Sequence, residues 1–115
     1  METCLYLIAT PIGNLEDITL RAIETLKMVD LIACEDIRIS KKLLANFGIK
    51  KKIISIHQHN EKDKTEFLIN EMTNGKSVAY ISDAGTPAVS DPGAFLVNQV
   101  LKLGLNVSPI PGPSS

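Results

Sequence analysis

No apolar run in the 115 residues approaches the roughly 18 needed to cross a membrane, and the opening Met1-Glu2-Thr3 lacks the basic start of a secretory signal. A cytoplasmic location is the expectation, with no membrane partner. Cysteine is scarce. Cys4 and Cys34 stand at the start of one apolar run and the end of another, the usual setting of reduced, buried thiols, so no disulfide framework is expected. Neither GxGxxG nor GxxxxGK(S/T) occurs, which argues against a conventional dinucleotide fold and a P-loop nucleotidase. An excess of positive charge is missing too: 12 Lys and Arg against 13 Asp and Glu leave a net charge of −1, a mild argument against nucleic acid. The distribution softens that argument, because Arg38, Lys41, Lys42, Lys50, Lys51 and Lys52 are half of all the basic residues and no acid falls between Arg38 and Lys52. A helix of about ten residues spans roughly 15 Å, so Arg38 and the Lys50 to Lys52 run should not form one patch, and the run reads as a solvated turn.

What the sequence does have, at 44% hydrophobic content, is enough apolar material for one compact domain. Runs rich in leucine, isoleucine and valine recur at Leu5 to Ala9, Leu31 to Cys34, Ile53 to Ile56, Val78 to Ile81 and Val107 to Ile110. They are too short for helices and barely alternate, so they read as strands buried on both faces. Between them the helical spacings Leu20/Ile23/Leu26, Ile39/Leu43/Phe47, Leu68/Met72 and Leu96/Val100/Leu103 mark four amphipathic helices. Gly48, Gly75 and Gly104 end three of them in the position where a left-handed residue caps a helix. The expected fold is α/β, a five-stranded parallel sheet in a βαβαβαβαβ order with right-handed crossovers and helices on both faces. No internal repeat, low-complexity tract or linker interrupts it.

Chemistry is concentrated in the connections that leave the strands. They read Thr10-Pro11-Ile12-Gly13-Asn14, Glu35-Asp36-Ile37-Arg38, His57-Gln58-His59-Asn60-Glu61, Ser82-Asp83-Ala84-Gly85-Thr86-Pro87 and Pro111-Gly112-Pro113-Ser114-Ser115. Open parallel sheets bind ligands outside the carboxyl ends of their strands, which puts the expected site on this edge. Gly85 lets a ligand approach backbone amides while Pro87 and Pro92 stiffen the loop. Asp83, at a strand end, suits a hydroxyl, an amine or a cationic group, although turn aspartates are as common. Asp91 reads as a helix cap with Pro92 at the first helical position. Glu35 to Arg38 reads equally as an internal ion pair or as a contact to ligand or RNA. His57, His59 and Glu61 have the residue types of a zinc site, but the loop lacks cysteine and Asn60-Glu61 begin a helix, so no metal is expected. No Ser/His/Asp arrangement is evident.

Taken together, LYLIATPIGNLEDITLRA, CEDIR, HQHNE, SDAGTPAVSDPG and the closing PGPSS resemble, over the whole chain, the small-subunit ribosomal RNA 2′-O-ribose methyltransferase family, a branch of the tetrapyrrole methylases. Three positions depart from that family's pattern: Ile37 where a threonine is usual, Gln58 where a glutamate is usual, and Ser115 where an alanine often stands. The resemblance implies that residues 1–115 are the amino-terminal, S-adenosyl-L-methionine-binding domain of a two-domain, metal-free, homodimeric enzyme acting on a cytidine ribose of 16S ribosomal RNA in the small subunit. Carried over by position, it implies cofactor contacts from Pro11, Ile12, Ala84, Gly85, Thr86, Val89, Ser114 and Ser115. Asp83 and Asp91 are then candidate bases, with Asp36 a further carboxylate nearby, and Arg38 completes the candidate catalytic set as the nearest phosphate partner. A small-molecule, tetrapyrrole-type methylase shares that fold and cofactor, but its expected first loop is richer in glycine, as in GxGPGD, where this chain has TPIGN. A non-catalytic binding domain is the third reading of these residues in isolation.

Overall fold

The computed structural model describes residues 3–9, 18–82 and 91–110, except for the side chains of Asp91 and Pro92. In chain order the elements are β1 (Cys4–Ala9), α1 (Leu20–Met28), β2 (Leu31–Cys34), α2 (Ile37–Asn46), β3 (Lys52–Ser55), α3 (Glu61–Thr73), β4 (Val78–Ser82), α4 (Asp91–Lys102) and β5 (Asn106–Ile110). The five strands form one sheet in the order β3-β2-β4-β1-β5, with every pairing parallel. The α/β class, the strand count and the helices on both faces are as the sequence reading expected.

The strand order decides which helix covers which face. From β1 the chain steps to β2 and then to β3 in one direction; from β3 it returns past β2 to β4, and from β4 it passes β1 to β5. Because crossovers between parallel strands are right-handed, reversing the direction reverses the face. The packing follows. On one face Ala22, Leu26, Leu43 and Leu44 of α1 and α2 pack with Ile8, Ile32 and Ile81. On the other, Leu68, Met72, Leu96 and Val100 of α3 and α4 pack with Leu5, Leu7, Ala33 and Tyr80. Each fully buried Leu or Ile adds about 1.5 to 3 kcal/mol of transfer free energy, so both layers contribute substantially to stability.

Burial on both faces holds for the interior strands and not for the rim. Every residue of β2 and β4 is buried, whereas β3 and β5 are each buried at a single position, Ile54 and Ile110. Edge strands have a neighbour on one side only, and β5 also carries Pro109, which a sheet tolerates best at its rim. The helical stripes are also turned from those the spacing suggested. Leu20 and Leu103 are 70% and 60% exposed, and Ile39 is exposed as well. Leu26 and Leu43 are buried as the spacing expects, and beside them Ala22 and Thr25 of α1 and Ser40 and Leu44 of α2 face the sheet. Small residues at core-facing positions let a helix lie close to its strands, a preference that a search for large apolar residues misses.

The amino ends of the strands are held by left-handed helix ends and by one long-range pair. Gly48, Gly75 and Gly104 have φ of +66°, +93° and +74°, the left-handed conformation expected after a helix. The start of β2 is tied to the start of β4: Asp30 N donates to Ser77 O at 3.0 Å, and Ser77 N donates back to Asp30 Oδ2 at 2.9 Å. Among the described residues no helix is long and apolar enough to span a membrane. Cys4 and Cys34 are buried thiols in β1 and β2.

Candidate functional site

β4, β1 and β5 lie side by side, and their carboxyl ends are aligned: Ala9 pairs with Ser82, and Ile8 pairs with Ile110. The three loops expected to contact the cofactor therefore leave the sheet from one stretch of its edge. β1 and β4 are neighbours whose connections lead to opposite faces, the arrangement that opens a ligand crevice between the departing loops. The loop residues themselves, Pro11, Ile12, Asp83, Ala84, Gly85, Thr86, Val89, Ser114 and Ser115, lie outside the described residues. Asp91 opens α4, and its side chain lies outside them too. The fold thus gathers the anchors of these loops.

β2 delivers the next loop, one strand beyond β4. Asp36 caps α2, its Oδ1 accepting from Arg38 N at 3.0 Å, and the same carboxylate receives Arg38 Nε and Nη2, each at 3.3 Å. The hydrogen bonds from the Arg38 side chain, then from its backbone, hold the Asp36 carboxyl below the ordinary aspartate value. Ion pairing with Asp36 raises Arg38 in return. The internal ion pair weighed for this loop is present. It does not exhaust Arg38, because a guanidinium has five N–H donors and this one is 88% exposed. Asp36 orients the group toward solvent at the carboxyl edge, where a phosphate oxygen can reach it.

The β3 loop is organised by a residue whose part the sequence did not reveal. Asn60 precedes α3 yet makes no side-chain cap bond to that helix. Its Oδ1 accepts from His57 N at 2.7 Å and its Nδ2 donates to Ser55 O at 3.0 Å, folding the loop back onto its own strand. His59 N donates to His57 Nδ1 at 3.3 Å, and the two rings meet edge to face at 5.9 Å. With one ring nitrogen of His57 engaged by backbone, the pair is arranged as a packed turn. Among the described residues no group of three or more His, Cys, Asp or Glu is placed to hold a metal ion. Ser55 Oγ donates to Glu35 O at 3.3 Å and joins this loop to that of β2.

The donor set at the β4-β1-β5 end also bears on the kind of ligand. Residues 10–15, 83–93 and 111–115 contain no lysine or arginine, so they offer nothing to neutralise a polyphosphate. Glycine, hydroxyls, prolines and two aspartates suit an uncharged nucleoside carrying an amino acid and a sulfonium. On that chemistry the residues present fit S-adenosyl-L-methionine.

Comparison with known proteins agrees with this picture. Residues 4–115 match the family described as Tetrapyrrole (Corrin/Porphyrin) Methylases. The chain belongs to that family. Among its relatives is the Ribosomal RNA small subunit methyltransferase I of Mesorhizobium japonicum, 54% identical over 115 residues, which are 100% of this chain and 39% of the relative. The protein of the same name from Haemophilus influenzae is 54% identical over 108 residues, 94% of this chain and 38% of its own. This chain therefore spans well under half the length of these two relatives. Among solved structures, uroporphyrin-III-C-methyltransferase from Thermus thermophilus superposes with a TM-score of 0.75 at 23% identity, covering 100% of this chain and 50% of that one. A diphthine synthase superposes with a TM-score of 0.72 at 18% identity, covering 97% of this chain and 45% of that one. These two likenesses establish the tetrapyrrole methylase fold. The family resemblance read from the strand-end loops is thus borne out.

Proposed function

We propose that this chain is the amino-terminal, S-adenosyl-L-methionine-binding half of a two-domain methyltransferase that modifies the 2′-hydroxyl of a cytidine in 16S ribosomal RNA, working in the cytoplasm as a homodimer. The observation that carries the proposal is the agreement of relatives 50 to 54% identical over nearly the whole chain, each named Ribosomal RNA small subunit methyltransferase I. The convergence of the β4, β1 and β5 loops supports the cofactor assignment. A tetrapyrrole substrate is less well supported, since uroporphyrin methyltransferases stand at 21 to 23% identity and the glycine-rich first loop is absent.

When bound, the cofactor supplies an electrophilic methyl on sulfur. The protein's task is to hold the ribose oxygen in line behind that carbon and to remove a proton from it. Loop amides at Ala84, Gly85 and Thr86, with Pro11, Ile12, Val89, Ser114 and Ser115, would hold the cofactor. Asp83, at the end of a central strand, and Asp91, at the start of α4, are the candidate bases. Arg38, held by Asp36, would take a flanking phosphate and so position the nucleotide.

The test is methyl transfer by the full-length, two-domain protein from labelled cofactor to small-subunit particles lacking the modification, with the product nucleotide identified by digestion and mass spectrometry. Methylcytidine modified on the ribose is the expected product; a base-methylated nucleotide, or transfer to a porphyrin alone, overturns the assignment. Thr86→Arg should weaken cofactor binding at least about 100-fold by calorimetry, and unchanged affinity in the folded variant would remove this loop from the site. Residues 1–115 alone should fold on their two-layer core yet transfer no methyl, half of the proposed cleft being supplied by the second domain.

A further inference from the structure

The lysine run that the sequence presents as a solvated turn is one wall of a cleft. Lys41, Lys50, Lys51 and Lys52 all line a depression of about 670 Å³ between α2 and the outer strand β3. Its helical wall is Lys41, Leu44 and Ala45, at spacings of three and four residues, which puts those side chains on one side of α2, and Gly48 follows where the chain leaves the helix. The opposite wall is the segment that leads into β3, and none of the lining residues is acidic. Arg38 is not among them. The cleft begins one helical turn beyond Arg38, at Lys41, and runs from there toward the amino end of β3, where Lys50, Lys51 and Lys52 lie.

Protection of an edge strand accounts for only part of this. A lysine on an edge strand discourages pairing with another chain, and Lys52, whose Nζ lies 5.4 Å from the Phe67 ring centroid, fits that role. Lys41, Lys50 and Lys51 do not lie on the strand, yet they face the same cleft around an apolar floor that includes Ile53. In a chain with a net charge of −1, Lys41, Lys50 and Lys51 around one cleft with no acid in its lining are a local reversal of sign, while Lys52 directs its amino group to Phe67 of α3 on the other face. Such a reversal attracts a polyanion. A second copy docking here isologously would bring lysines against lysines, which disfavours self-association as the use of this surface.

We propose that the cleft between α2 and β3 binds the sugar-phosphate backbone of the RNA substrate at a point away from the reacting nucleotide, with Lys41, Lys50 and Lys51 as phosphate contacts. The proposal rests on the reading of this protein as an RNA methyltransferase and adds a docking surface to it. The amino groups would take phosphate oxygens without regard to sequence, and the apolar floor would face ribose carbons. Registration of the substrate would thus be shared between this surface and Arg38.

The experiment measures binding of a small-subunit RNA fragment by the full-length, two-domain protein across a range of salt, comparing wild type with K41Q/K50Q/K51Q and with K41R/K50R/K51R. Three lost phosphate contacts should reduce the slope of log affinity against log salt by roughly 2 to 3. Affinity near 0.1 M salt should fall at least about tenfold, with recovery in the arginine variant. KM for the RNA should rise in proportion, while kcat at saturating RNA and cofactor affinity stay within about twofold, which separates docking from damage to the fold or the active site. RNA binding by wild type with an unchanged slope and affinity in the glutamine variant overturns the docking surface and leaves the function standing. Failure of wild type to bind or methylate RNA overturns the function and the docking surface together. Weaker self-association in sedimentation, with RNA affinity unchanged, would assign the cleft to a second copy and likewise overturn the proposal.

Discussion

The two ends of the sheet are made by the same five strands and are built on different principles. At the amino end the helices stop at left-handed glycines, Gly48, Gly75 and Gly104, and one carboxylate, that of Asp30, ties the start of β2 to Ser77 at the start of β4. At the carboxyl end the described connections are held by side chains that reach back to backbone, Asp36 to Arg38 N and Asn60 to both His57 N and Ser55 O. Local turns need only a permissive backbone. Side-chain bracing fixes a loop and leaves other groups, such as the Arg38 guanidinium, facing outward. Chemistry in such a sheet is to be sought at the braced end. That contrast makes the lysine cleft unexpected, for it runs toward the plainer end.

The comparison depends first on both ends sharing one core, and this is where the largest effect is expected. Ile32 is fully buried in β2 between its neighbours β3 and β4. Ile32→Ala should cost about 2 to 5 kcal/mol in urea unfolding. A loss below about 1 kcal/mol would show that the central layer closes around the gap and that the two ends are less firmly joined than the packing implies. Next comes Asn60, whose side chain makes two hydrogen bonds within one loop. Asn60→Ala should cost about 1 to 3 kcal/mol and speed amide exchange at His57, since both bonds are lost and His57 N is left without that acceptor. Exchange at wild-type rate would mean that the loop is held by something other than Asn60.

A smaller effect is expected at the amino end. At Gly75, φ is +93° and an added Cβ would meet no atom within 4 Å, so Gly75→Ala is penalised by conformation alone, by about 1 kcal/mol. It should leave cofactor and RNA binding untouched, and a loss of either would tie the plain end to the site. The smallest effect concerns Asp36. Its carboxyl is held below the ordinary value, chiefly by hydrogen bonds from Arg38, so its contribution to stability is present above the unfolded-state pKa near 3.8 and lost as pH falls through the lower folded-state value. An NMR titration should place the Asp36 midpoint below that value, and Arg38→Gln should move it upward. A midpoint indifferent to Arg38→Gln would break the ion pair as the organising feature of that loop.

Much of this architecture could be read from the chain because it rests on local rules. Short runs such as Leu31 to Cys34 are too short and too apolar to be anything but buried strands, and the glycines after α2, α3 and α4 stop the helices where a left-handed residue is needed. The loading of the strand-exit loops was legible for the same reason, since residue types at a strand end are fixed by chain order. The helical stripes were less so. Leu20 and Leu103 were placed toward the core by spacing alone, but Ala22, Thr25 and Ser40 take core-facing positions because close helix-to-sheet packing favours small side chains.

The alternation of strands and helices, the class of the sheet and the family to which the loop motifs point all follow from residue patterns along the chain. The strand order does not, because parallel crossovers of this length reach several positions and long-range packing selects among them. That order puts the ends of β4, β1 and β5 together and sets Arg38 one strand beyond β4. The same packing sets Lys41 on one cleft with Lys50 and Lys51, residues nine and ten positions away along the chain. Charge along a sequence is a property of neighbours in the chain, whereas charge in a cleft is a property of neighbours in space, and only the packing of α2 against β3 converts one into the other.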